Sequence, residues 1–455
     1  MDYYPHNVHQ GQRTSFEDFT SDSIIYQYIP IGQSYVHRPS SIETQDQRAY
    51  TTGQQLSSKM TAKWNGNLVN QRTVKRKGSC QDDSEMPGYS KKGRHESLTE
   101  NECETKASSS VQPAPLTSKV IIYKPGDGYD NITEDIVHHY NQNHQSQQDL
   151  EHKIMLSNCL YAIVKDVFPG CKLFIVGSSL NGFGTRTSDM DLCLLLSQDK
   201  AIDQRFEAVH ILSSIHNALR CCTFVKYSQV IKAKVPILKF TDIKKNIECD
   251  LNINNGVGIR NTHLLKYYCM ADPRVGPLML YIKYWARFHD INDARKRTIS
   301  SYSLALMLIH YLQVGCDPPV LPSLQKLYPA RFNAQVGLRK LRLDESLHNV
   351  QTSNRDSLGK LFCGFLEYFA FHFKPDQEVI SVREAGVLPI QSVRYNSDEP
   401  SQWKCLCIEE PFDRSNTARS VFDAFIFQRV MHVFKRSART LKETRKAKSI
   451  LSQPF

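Results

Sequence analysis

The spacing of apolar positions along this chain changes twice, and each change predicts a different kind of structure. Residues 131–170, "NITEDIVHHYNQNHQSQQDLEHKIMLSNCLYAIVKDVFPG", place Leu156, Leu160, Ile163 and Val167 at helical spacing, with an N-cap expected before Thr133. From Cys171 the pattern shortens. "CKLFIVG" reads as a buried strand, "SSLNGFGT" as a turn or short helix, and "DMDLCLLL" as a second strand. A helix over "FEAVHILSSIHNAL" follows, then three extended segments, "CCTFVKYSQVI", "KVPILKF" and "NIECDLNIN". From about Asn261 the helical period returns in "PLMLYIKYWARFHDIN", "SYSLALMLIHYLQV", "LGKLFCGFLEYFAFHF" and "TARSVFDAFIFQRVMHVFKRSARTLKETRKAK". The simplest assembly is an α/β mixed sheet carrying helices, followed by a mainly α-helical second domain. No repeat of fixed period is visible.

Residues 1–119 lack either period. They are crowded with Gln, Ser, Thr and Asn, end in the linker-like "SSSVQPAPLTSK", and read as a disordered low-complexity tail. Within it, Lys75, Arg76 and Lys77 and then Lys91, Lys92 and Arg94 have the separation of a two-part nuclear import signal, although short basic clusters are common in tails. The island "IIYQYIPI" is either a partner-docking segment or residual stickiness.

Composition narrows the function classes. In 455 residues, 40% hydrophobic content supports a sizeable core, so the whole chain is not disordered. A net charge of +11 suits a polyanionic partner such as nucleic acid, or simply a solvated basic surface. Thirteen cysteines without regular or CxxC spacing predict a reducing compartment and no zinc site. No run of about 18 apolar residues and no basic-then-apolar start is present, so the expectation is a soluble protein without membrane association.

The chemistry centres on "DMDLCLLL". Successive strand side chains point to opposite faces, so Asp189 and Asp191 share one face while Met190, Leu192, Leu194 and Leu196 take the other. Two such carboxylates repel unless a cation neutralises them, and Mg2+ prefers hard oxygen ligands. In "NIECDLNIN" the same parity puts Ile247, Cys249, Leu251 and Ile253 on the core side and Asp250 opposite. If the strands are neighbours, Asp250 completes a two-metal site with ions about 3.5–4 Å apart, suited to in-line displacement at phosphorus. Gly177 and Ser178, at a strand-to-helix turn, offer N–H groups and a hydroxyl to phosphate, and Gly182 and Gly184 let the chain turn back. An isolated Asp-x-Asp is more often a solvated strand edge. The combination with the Gly-Ser turn and a third aspartate is far more specific.

With these residues in place, "VGSSLNGFGTRTSDMDLCLLL" resembles the signature of the DNA polymerase beta-like nucleotidyltransferase superfamily. The surrounding sequence resembles the non-canonical cytoplasmic poly(A) polymerases of the germline-development-defective type. That resemblance runs from about Val120 to the C-terminus and includes "IECDLNINNGVGIRNTHLL", "YIKYWARFHDIND", "SSYSLALMLIHYL", "ISVREA" and "CIEEPFDRSNTAR". It implies a nucleotidyltransferase catalytic domain over 150–262. Residues 120–149 and 263–455 would form a helical central domain, with a poly(A)-polymerase-associated region at about 355–415.

The resemblance also implies roles. Asp189, Asp191 and Asp250 would bind two Mg2+ or Mn2+ ions, with Asp250 also activating the RNA 3′-hydroxyl. Gly177 and Ser178 would contact the triphosphate. Asn261 and Thr262 would sit at the ribose, where an amide can read the 2′-hydroxyl. Lys283 and Arg287, four apart on one helix face, suit the β- and γ-phosphates. Many relatives have lysine at the second position, and arginine keeps the charge but changes the geometry. Ser301 would touch phosphate, Tyr302 would stack on the base, and Glu410 and Asp413 would lie near it. Relatives that prefer UTP tend to carry a histidine just after "EEPFD"; here "RSNTAR" follows, which favours ATP. Met190 replaces a smaller residue of close relatives, so altered packing under the strand is expected. The basic positions Lys435, Arg436, Arg439, Lys442, Arg445 and Lys446 either guide RNA or form a solvated face.

The expected activity is template-independent addition of AMP from ATP to RNA 3′ ends, in the cytoplasm with the nucleus as a second compartment. No RNA-recognition signature is visible, so an RNA-binding protein partner would supply target choice. Competing readings are a terminal uridylyltransferase, a catalytically silent RNA-binding scaffold, and a 2′-5′ oligoadenylate synthase, whose flanking helical motifs fit poorly.

Overall fold

The structure is a computed structural model that describes residues 126–196, 202–203, 206–343, 345–347 and 350–455. The expected tail, its two basic clusters and its apolar island lie outside the described residues.

Helix α1 spans Asp130–Asn143 and α2 spans Gln147–Val167. The helical period of the sequence is therefore interrupted once, and the first helix begins three residues before Thr133. The break falls where Ser146 and Asp149 form a reciprocal capping box that starts α2. The two helices then diverge in what they cover. Helix α1 packs on helices of the C-terminal half, while α2 packs on the sheet and its neighbour helix.

Strand β1 (Lys172–Val176), short helix α3 (Ser178–Asn181) and strand β2 (Met190–Leu195) form the signature hairpin. Helix α4 (Glu207–Leu219) leads to β3 (Val225–Ile231), β4 (Ile237–Asp242) and β5 (Glu248–Ile253). The five strands lie in the order β1-β2-β5-β4-β3. Pairing is antiparallel except for β2 with β5, which run parallel. Met190, Leu192, Cys249, Leu251 and Ile253 are buried as their parity requires. Cys193 and Leu195 are buried too, so β2 is covered on both faces beyond Asp191 and reads as a near-continuous apolar run.

The second half begins with α5 (Gly256–Ala271), which packs against β1, β2 and α3, followed by α6 (Val275–Phe288) and α7 (Ser301–Val314). A short helix α8 (Leu324–Leu327) and α9 (Leu358–Glu367) follow; a turn of π-helix over Tyr368–His372 ends α9. A two-stranded hairpin, β6 (Glu378–Ser381) with β7 (Gly386–Pro389), and α10 (Ile390–Tyr395) interrupt the helical pattern. The segment "ISVREAGVLPI" is too short for helical period to speak, and its β-branched residues pair locally instead. Helix α11 spans Ala424–Thr444 and starts well after Thr417, because the Asp423 side chain caps it by accepting from the Phe425 and Ile426 N–H groups. Its buried stripe includes Val430, Phe434 and Leu441, and the Trp285 indole donates to Ser437 Oγ at 3.0 Å. Among the described residues, no helix is long and apolar enough to cross a membrane.

Candidate active site

The parallel register of β2 and β5 decides the centre of the site. Asp191 is the Cα partner of Asp250, so the two carboxylates stand side by side on one face of the sheet. Asp189 lies one residue ahead of β2, in the turn that feeds it, and not in the strand as parity alone suggests. Burial, followed by the charges of Asp250 and Asp189, raises the Asp191 pKa to about 6. Burial is also the main cause of the raised Asp250 pKa, which the facing Lys239 partly opposes. Asp250 Oδ1 is buried with no hydrogen-bond partner, and the Lys239 ammonium makes only a 3.8 Å ion pair with it. An orphaned carboxylate oxygen beside two further carboxylates is a donor set that a hard divalent cation fits. Among the described residues no three acidic, histidine or cysteine groups close into a complete cage. Mg2+ is usually held by one or two carboxylates together with substrate phosphates, so an open set is chemically adequate.

Gly177 ends β1 at φ +70, and its N–H donates to Thr262 Oγ1 at 2.8 Å. The Thr262 hydroxyl in turn donates to the Gly258 carbonyl at 2.8 Å, so it braces the turn from helix α5. A cleft of about 620 Å³ opens in front of this turn. Its wall contains Gly177, Ser178, Asp189, Asp191, Asn261, Thr262, Lys283, Arg287, Ser301 and Tyr302. Asn261 Oδ1 and Asn252 Oδ1 are buried along it without partners, which leaves two amide acceptors for a hydroxyl-bearing ligand. Lys283 is 7% exposed on α6, and burial together with repulsion from Arg287 lowers its pKa to about 8. Arg287, one turn on, is exposed.

The structure brings together ten of the thirteen residues singled out from sequence, and the other three stand apart in different ways. Asp250 lies beside the cleft on β5. Glu410 lies behind it, buried, where Oε1 accepts from the Tyr302 hydroxyl at 3.1 Å and Oε2 accepts from the Phe412 and Asp413 N–H groups. Asp413 lines a separate groove of about 610 Å³ with Lys234 and Arg414. Sequence reasoning overlooked Asn252, in the wall of the cleft, and Lys153, beneath the signature loop. Lys153 had a visible signal: it is a charge on the same helical stripe as Leu156 and Leu160.

Burial is the main cause that raises the Glu410 pKa to about 7. A carboxyl whose folded pKa exceeds its unfolded one contributes stability below the unfolded value, and that contribution is lost as pH rises through the folded value. For Glu410 the loss runs from about 4.5 to about 7. Glu410→Gln keeps a carbonyl acceptor and removes the titration. The difference in melting temperature between pH 6 and pH 8 should therefore shrink relative to the parent protein, and an unchanged difference rejects this account.

Strand order, parallel acidic pair and Gly-Ser turn together define a polymerase beta-like nucleotidyltransferase. Family models match residues 132–270 as the poly(A) RNA polymerase, mitochondrial-like, central palm domain, and residues 357–416 as the Cid1 family poly A polymerase domain. Poly(A) RNA polymerase GLD2 of Mus musculus is 42% identical over 332 residues, which cover 71% of this chain and 66% of that protein. The solved GLD-2/RNP-8 complex aligns at TM-score 0.65 and 40% identity, over 72% of this chain and 99% of that one. A Cid1 poly(U) polymerase structure aligns at TM-score 0.61 and 27% identity, over 72% of this chain and 100% of that one. The chain belongs to the GLD2 family of poly(A) RNA polymerases. It spans 66% of the length of the mouse relative and 23% of a Drosophila melanogaster homologue.

Proposed function

We propose that this chain adds AMP from ATP to RNA 3′ ends without a template and releases pyrophosphate, in cytoplasmic mRNA polyadenylation. The observation that carries the reading is the Asp191–Asp250 register pair beside a cleft that begins at Gly177–Ser178. The RNA 3′-hydroxyl forms a bond to the α-phosphorus as the bond to the β-phosphate oxygen breaks. Asp189, Asp191 and Asp250 would hold two Mg2+ or Mn2+ ions, which stabilise the attacking and leaving oxygens. Asp250, the register partner of Asp191, would accept the hydroxyl proton. Ser178, Lys283, Arg287 and Ser301 orient the triphosphate and meet the charge that develops on pyrophosphate, while Gly177, its N–H held by Thr262, sets the turn that presents Ser178. Asn261 takes the ribose, with Thr262 bracing the turn beneath it. Tyr302 stacks on the base, and Glu410 holds the tyrosine hydroxyl in place.

Two features favour adenine. Relatives at 38–42% identity are named poly(A) polymerases, while the poly(U) polymerase matches at 27%. No histidine follows Asp413 in "RSNTAR". Solved GLD-2 structures contain RNP-8 or GLD-3, and by likeness an RNA-binding protein supplies target choice here. Primer extension with each ribonucleotide separately should show ATP used at least roughly tenfold better than UTP, a difference of about 1.4 kcal/mol. UTP winning overturns the base assignment, and no extension with any nucleotide overturns the activity.

A further inference from the structure

The signature loop is fastened from behind by a lysine that lines no part of the nucleotide cleft. Lys153, on α2, is 1% exposed. Its three N–H groups are all used: Nζ donates to Gln145 Oε1 at 3.0 Å, Ser179 Oγ at 3.0 Å and the Ser188 carbonyl at 2.8 Å. The Ser179 hydroxyl donates onward to the Asp189 carbonyl at 3.2 Å, and Gln145 Nε2 donates to the Ser179 carbonyl at 2.9 Å. Two stretches ten residues apart in the chain, α3 after Gly177–Ser178 and the Ser188–Asp189 turn, therefore meet on one ammonium.

Burying an ammonium costs several kcal/mol even after relaxation, and a contacting carboxylate is the usual compensation. No ion pair among the described residues includes Lys153, and its direct partners, among them the Asp189 carbonyl at 3.4 Å, are all neutral oxygens. Asp189 lies outside β2, so strand pairing does not hold it, and the turn that carries it is held by Lys153 and Ser179. We propose that Lys153 is a positioning residue of nucleotidyl transfer, locking the Ser188–Asp189 turn against α3 so that Asp189 keeps its place beside Asp191. This rests on the reading of those aspartates as the metal-holding set.

The test compares the full chain with Lys153→Met and Ser179→Ala. Three properties are measured: melting temperature, Mn2+ affinity by direct titration without nucleotide, and kcat and KM for ATP. Lys153→Met should lower kcat by roughly 10²-fold, the scale of a 1 Å misplacement, with KM within about threefold. Mn2+ affinity should fall roughly tenfold, as when an outer-shell support is removed. Ser179→Ala keeps the charge and removes only the hydroxyl link. It should shift the same quantities in the same direction by less, and it carries the test if Lys153→Met does not fold. Parental kcat and Mn2+ affinity in a folded variant, or a raised KM at unchanged kcat, overturns the proposal. If the parent protein adds no AMP, the activity reading fails, while weaker Mn2+ binding in the variants still upholds the role of Lys153.

Discussion

Asp191→Asn should stop AMP addition while making the metal-free fold more stable at neutral pH. Asparagine preserves the shape of the side chain and removes its charge. Burial and two neighbouring carboxylates hold the Asp191 pKa up at about 6. Its contribution to stability is therefore present below the unfolded pKa and is lost as pH rises to about 6. At pH 7.5 the parent protein carries an ionised, repelled carboxylate that the variant lacks, so the variant should melt higher. Activity should move the other way. Without that carboxylate the acidic set loses its central member, and extension of an RNA primer should fall by roughly 10³-fold or more, equivalent to about 4 kcal/mol of transition-state stabilisation. Opposed changes in activity and stability mark a functional carboxylate. A variant that extends RNA at the parental rate, or one that melts lower, defeats this account of Asp191.

The second large effect comes from a single methyl group. Gly177 has φ +70 and ψ −149, a conformation that costs a side-chain-bearing residue on the order of 1–3 kcal/mol. A Cβ there would also come within 2.4 Å of Asp191 Oδ2 and 3.2 Å of its Cγ. The carboxylate or the turn must shift, and the N–H bond to Thr262 shifts with it. Gly177→Ala should lower kcat/KM for ATP by roughly 10²-fold. Gly170→Ala is the matching control: it has φ +80, with nothing within 4 Å of its added Cβ. It should show a similar loss of melting temperature and keep its activity. Equal activity in the two variants would show that the collision with Asp191 is harmless.

Much of this was legible along the chain because period and parity are local. Strand alternation follows from backbone geometry, so it placed Asp250 opposite Cys249 and Leu251, both buried as expected. Helical spacing placed Lys283 and Arg287 on one side of α6, with Leu278, Ile282 and Trp285 buried on the other. Asp189 lines the cleft together with Asp191 as parity places it, although β2 itself starts one residue later. Parity was silent about the β6–β7 hairpin, whose strands are four residues each.

What only the tertiary structure decided is which distant residues meet. The sequence by itself determined that three aspartates are available on exposed strand faces or turns, and that a Gly-Ser turn precedes two of them. The tertiary structure placed β5 parallel to β2 in the register that sets Asp250 beside Asp191. It also put Glu410 behind Tyr302 and sent Asp413 to another groove, although the two lie in one short motif. Neighbouring residues in a loop can face different surfaces, since a loop has no period to constrain them. The same packing carried Lys153 from an apparently ordinary helix to the underside of the signature loop. Side-chain direction within an element is set by the covalent chain, whereas contact between elements is set by how their buried faces pack.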